Sequence, residues 1–154
     1  MNRHTVSRTD DNPVASAFRR NIVLLLFVPL LAGFVPQEKS VWDGVYTDEQ
    51  ARRGEALYGE RCIRCHGPGY MGGTDGATAL VGPTFNGNWN GVTLDQMLDR
   101  MRLTMPQDKP ASLSRAQTAD ALAFILSINK IPSGKTELPR QAEILALIRY
   151  TAAK

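Results

Sequence analysis

Cys62-Ile63-Arg64-Cys65-His66 constrains this chain more than any other stretch of it. Residues three apart on a helix share a face, so both thiols point the same way and the imidazole of the next residue falls beside them. C-x-x-C-H at this spacing is an attachment signature for haem. Two thiols reach the two vinyl groups along one haem edge, and His66 falls under the iron as an axial ligand. The other uses of these residue types fail. A structural zinc site takes four ligands, typically Cys and His, yet besides Cys62, Cys65 and His66 the only other histidine is His4, inside the N-terminal segment. A disulfide between Cys62 and Cys65 would close a tiny loop and restrict little of the unfolded chain. A thioredoxin-like pair belongs in a βαβ setting, and no segment alternates with the period of a strand.

The second axial ligand must come from elsewhere in the chain. His66 is the sole histidine beyond the N-terminal segment, so the candidates are Met71, Met97, Met101 and Met105. Met71 follows His66 by five residues, too near to wrap to the opposite face of a haem. Met97 and Met101 stand at i and i+4 on one apolar helix face, where core packing is the better reading. Met105 precedes Pro106 in an irregular segment free to approach iron, and is the preferred ligand; its alternative is a loop methionine filling a gap.

Arg19 and Arg20 precede a fourteen-residue apolar run, Ile22 to Val35. A spanning helix needs roughly 20 apolar residues and a signal-peptide core about 7–15. Residues 1–35 therefore read as an export signal, with an uncleaved anchor as the alternative, and residues 36–154 as one domain. Either reading places the domain outside the cytoplasm, in the periplasm, with membrane attachment only if the segment is retained. Of the formal charge of +3, residues 1–35 carry +2, from four Arg and two Asp. The rest is close to neutral, with fourteen basic and thirteen acidic residues and no Lys/Arg cluster to track a phosphate backbone. Nucleic acid is excluded as a partner.

Three helix starts carry the capping-box pattern: Thr47…Gln50, Thr93…Gln96 and Ser114…Gln117. They predict helices over about Asp48–Cys65, Leu94–Arg102 and Arg115–Ile128, with a short fourth stretch over Ala142–Ile148. Residues 36–46 read as an extended lead-in anchored by Trp42 and Tyr46. Between the first two helices lies a Gly-rich loop of more than 25 residues. Wrapping a large flat cofactor justifies such a loop in a compact domain. Trp89, at its end, either offers its indole N–H to a haem propionate or packs as a core aromatic.

The motif helix, then Gly82-Pro83, then Thr104-Met105-Pro106, then Ala123-Phe124-Ile125-Leu126 together resemble a class I cytochrome c. That resemblance implies an all-α fold, with three main helices and a short C-terminal one around one covalent haem c. It also implies that Gly54 and Tyr58 meet Ala121 and Phe124 where the first and last helices cross. The Pro83 carbonyl would accept the ring N–H of His66. From Val41 to about Pro139 the chain is similar to the cytochrome c domains associated with quinoprotein (PQQ-dependent) dehydrogenases, on the strength of Val41-Trp42-Asp43-Gly44-Val45-Tyr46-Thr47 and Thr104-Met105-Pro106-Gln107. No β-propeller to hold a quinone fits in this length. The implied role is an electron carrier and not itself an enzyme, between a dehydrogenase and an oxidase or another cytochrome. The rival class is a gas sensor or catalytic haem subunit with an open iron position, for which the chain lacks a distal histidine.

Attachment through both cysteines has a direct test. Acid–acetone should leave haem on the parent protein, leave it on Cys62→Ala or Cys65→Ala through at most one thioether, and strip it entirely from the double variant.

Overall fold

The computed structural model describes residues 37–73 and 76–153; the expected signal or anchor over residues 1–35 lies outside them. Thr47 caps the first long helix, α1 (Asp48–Arg61), its hydroxyl accepting the N–H of Gln50 at 3.1 Å. Asp48 and Glu49 place negative charge where the helix dipole favours it. The other half of the expected capping box does not form. The Gln50 side chain is buried and turns instead to Leu138, donating to its carbonyl at 3.2 Å and accepting its N–H at 2.6 Å. A buried amide must satisfy both of its ends, and one backbone residue does so here.

The first helix is shorter than its spacing predicts. It ends at Arg61, Cys62 takes φ −119° and ψ −32°, and a single turn, α2 (Ile63–His66), follows. The N–H groups of Cys65 and His66 both donate to the Cys62 carbonyl, at 3.1 and 2.9 Å, so the motif remains one coiled turn despite the break. The Gly-rich stretch likewise is not all loop. It contains an eight-residue helix, α3 (Gly82–Trp89), with proline in its first turn. No side chain caps α3, and glycine is a poor helix former, so local signals for it were absent. Tertiary packing supplies what propensity lacks: Phe85 is buried with its ring 5.5 Å from that of Tyr150 and perpendicular to it.

Both remaining capping boxes are complete, on α4 (Leu94–Thr104) and α5 (Arg115–Ile128). The fourth predicted helix shrinks to α6 (Ala142–Leu145). Ile148–Arg149 instead forms a strand, β2, which pairs in parallel with β1 (Lys39–Ser40), joining Lys39 to Ile148 and Ser40 to Arg149. The lead-in is anchored as its aromatics suggest. The Tyr46 hydroxyl donates to the Ile131 carbonyl at 2.5 Å and the Trp42 indole N–H to that of Thr151 at 3.0 Å. Apart from these two short strands the fold is all-α, as expected of a class I cytochrome c, and no helix among the described residues is long and apolar enough to cross a membrane.

The most extensive helix-on-helix packing is that of α1 on α5. At the crossing stands Gly54, where an added Cβ would overlap the Asp120 carbonyl and lie 2.8 Å from the Cβ of Phe124. One turn on, the rings of Tyr58 and Phe124 pack at 5.3 Å. Gly54→Ala should therefore destabilise the fold by about 2–3 kcal/mol, an overpacking cost that exceeds the gain in helix propensity. Gly59 lies in the same helix with nothing near its missing Cβ, so Gly59→Ala should stabilise by about 0.5–1 kcal/mol. Denaturant unfolding of the two variants beside the parent measures both.

Candidate haem site

His66 closes α2 and is buried. Its Nδ1 lies 3.0 Å from the carbonyl oxygen of Thr78. A carbonyl only accepts, so the proton sits on Nδ1 and the lone pair of Nε2 is left for a metal. The structure thus corrects the expected partner. Pro83 lies in the first turn of α3, where carbonyls turn along the helix axis into helical hydrogen bonds, and the orienting carbonyl is that of Thr78.

Glycines bring Thr78 into place. A Cβ at Gly73 would overlap the Cys65 carbonyl, and one at Gly72, where φ is +86°, would overlap that of Ala77. The bare backbone of this pair therefore lies against the motif on one side and against the residue before Thr78 on the other. The Gly72 N–H donates to the His66 carbonyl at 3.2 Å, and the Leu80 N–H to the Tyr70 carbonyl at 2.7 Å. Tyr70 adopts φ +61°, a left-handed conformation unfavourable for a side chain. Ring contacts at 5.3 Å with Tyr58 and 5.7 Å with Phe124 compensate.

Cys62 and Cys65 are free and half-buried. Burial, and then the neighbouring Cys65, push the Cys62 thiol up, with Arg61 opposing weakly. A cavity of about 390 Å³ opens beside them. Tyr58, Cys62, His66, Met97, Met101 and Met105 all line it, with Phe85, Trp89, Leu122, Phe124 and Ile125 among its apolar walls. A narrower crevice alongside brings Cys62, Cys65, His66 and Met105 to one place.

The four candidate methionines separate clearly. Met71 is 67% exposed and outside the cavity lining, whereas Met97 is 1% exposed and belongs to the core. Met101 is half-buried against that core. Met105 caps the C-terminus of α4 in extended conformation and alone of the four lines both the cavity and the crevice. Trp89 lines the cavity and also packs on the core, its ring 6.3 Å from Phe85, so both of its sequence readings remain compatible with its position.

The donor set fits a covalently held haem. Two thiols, an imidazole with a free nitrogen and a thioether meet in the crevice, and all but the Cys65 thiol also line the apolar cavity; among the described residues no cluster of three His, Cys, Asp or Glu side chains gathers as for a metal ion alone. A family model described as cytochrome C oxidase, cbb3-type, subunit III matches residues 49–125, half of the chain. The chain belongs to this cytochrome c family. No curated protein and no solved structure gives a significant match. Membership carries covalently bound haem c and electron transfer as the cytochrome's general chemistry. The matched span runs from α1 to α5 and takes in the motif, Thr78 and Met105.

Two contributors to the site escaped sequence reasoning. Thr78 acts through its backbone, which no side-chain pattern reveals. Tyr58 matched a helix-contact position, but its hydroxyl also donates to the Gly67 carbonyl at 2.5 Å, directly after His66. Burial, and then Cys62, push the Tyr58 hydroxyl up to about 12. The burial contribution survives conversion of Cys62 to a thioether. A raised pKa means that the fold favours the protonated phenol. Its stabilisation is complete below about pH 10, the unfolded value, and is lost as pH rises through about 12. Tyr58→Phe should cost about 1 kcal/mol at neutral pH for the lost hydrogen bond. It should also flatten part of the stability decline above pH 10, leaving the share owed to Tyr46 and Tyr150, which burial raises as well. Denaturation midpoints from pH 7 to 12 measure both effects.

Proposed function

We propose that this cytochrome is a single-haem electron carrier with the haem fastened to Cys62 and Cys65 and the iron held between His66 and Met105. The supporting observation is that His66 and Met105 line one cavity whose remaining walls are largely apolar. When bound, haem supplies a ferric/ferrous couple. The protein's part is to hold the ligands and tune them. The Thr78 carbonyl fixes the imidazole and raises its basicity as a ligand. The Met105 thioether, as the other ligand, would favour the ferrous state and raise the potential. Apolar walls from α3, α4 and α5 would shield a bound haem from water.

Electrons would come from a dehydrogenase outside the cytoplasm, a quinoprotein being the donor suggested by Val41–Thr47 and Thr104–Gln107. They would pass to a respiratory oxidase or another cytochrome. The family description, which names a subunit of an oxidase, fits the acceptor side of that scheme. The apolar run Ile22–Val35 supports export.

Met105→Ala separates carrier from catalyst. Ferric haem with a thioether ligand has a weak charge-transfer band near the red end of the visible spectrum. The variant should lose that band, show a lower reduction potential and bind carbon monoxide, while the thioethers and His66 still hold the haem. If Met97→Ala or Met101→Ala has these effects and Met105→Ala does not, the ligand is misassigned but the carrier role stands. A parent protein that already binds carbon monoxide, and whose spectrum none of the three variants changes, would make sensing or catalysis the better reading.

A further inference from the structure

The segment that follows Met105 is held in place by very little. From Pro106 to Ser112 it contains two local turns, with the Lys109 N–H donating to the Pro106 carbonyl at 2.9 Å and the Ser112 N–H to that of Lys109 at 3.3 Å. Apolar anchorage resumes only at the buried Leu113, which packs with Leu57, Ala121 and Met101. Among the described residues, one hydrogen bond ties this segment to the rest of the molecule. The Arg64 guanidinium donates to the Asp108 carboxylate at 2.8 Å. Arg64 lies inside the motif, two residues before His66, and Asp108 three residues after Met105. Both side chains line the crevice into which Cys62, Cys65, His66 and Met105 all open. The ion pair therefore joins the element carrying one proposed ligand to the segment directly after the other, Met105, whose own N–H is bonded to the Met101 carbonyl at 2.8 Å.

We infer that Arg64 and Asp108 are positioning residues, a clasp that holds the Met105 segment closed over the haem site. The clasp rests on the proposal that Met105 is a ligand. Both side chains are largely in water, 75% and 59% exposed, which bounds its strength. Exposed pairs contribute little, and the contribution falls as salt screens it. The pair is thus suited to bias how often Met105 leaves the iron, and not to hold the fold together.

The test uses imidazole as a competing ligand for the ferric holo-protein, with the red charge-transfer band reporting Met105. At low salt, Arg64→Gln and Asp108→Asn should each tighten apparent imidazole binding roughly two- to fivefold, the range open to an exposed pair. Each should also speed amide exchange over residues 107–112. Added salt should move the parent toward the variants and leave the variants little changed. The exchanged pair, Arg64→Asp with Asp108→Arg, should return toward the parent. Single variants that match the parent at low salt, or an exchanged pair that loses as much as the two singles combined, would overturn the clasp. Met105→Ala separates this failure from that of the ligand assignment. If it abolishes the band while the Arg64 and Asp108 variants change nothing, only the clasp falls; if it leaves the band intact, both fall.

Discussion

How closely α1 passes α5 decides how near the attachment motif lies to the α5 wall of the cavity. The backbone-to-backbone approach at Gly54 leaves no room for a single methyl group. Residues four apart share a helix face, so the crossing at 54 aims Tyr58, and then Cys62 just beyond the helix end, toward one side of α5. That side presents Phe124, which packs on Tyr58, together with Ala121 and Ile125, which line the cavity. A wider crossing would separate the attachment motif from the wall opposite. The Arg53 guanidinium adds a polar brace at the same point, bonding Asp120 at 3.0 Å and Glu137 at 2.8 Å, although its exposure keeps the gain small.

The second constraint is backbone chemistry. The ring that would face the metal is oriented by a peptide carbonyl, and that carbonyl is delivered by glycines packed against the motif. Substitution at Thr78 would leave the acceptor in place, whereas a side chain at Gly73 would push on the Cys65 carbonyl and disturb motif and acceptor together. Asn129 secures the other end of the same stretch. Its amide donates to the carbonyls of Leu80 and Ile125, both at 2.8 Å, fastening the end of the glycine-rich stretch to α5.

The parts legible in advance were those written in local pattern. Ser114…Gln117 followed by an apolar run placed α5 to the residue, and Thr93…Gln96 placed the start of α4. Thr47…Gln50 located α1 but misled about Gln50, because a pattern of spacing cannot weigh a distant backbone partner such as Leu138. Helix α3 was invisible for the opposite reason. Its sequence, Gly-Pro-Thr-Phe-Asn-Gly-Asn-Trp, argues for loop at almost every position, and only long-range packing of Phe85 reverses that. At the site, the cysteines, histidine and methionine could be singled out as candidates because their chemistry resides in side chains, and the fold brings all four to one crevice. Thr78 could not be, since one peptide carbonyl reads like any other, and Pro83 was named only through resemblance.

The pairing of β1 with β2 has a consequence for how this unit can be connected to others. It brings residues 39–40 beside residues 148–149, so the chain enters and leaves the folded unit at one place. Units with adjacent ends tolerate insertion into a host loop and cyclic reordering of their segments, since a short linker can bridge the old ends. This cytochrome domain is therefore built as a plug-in module.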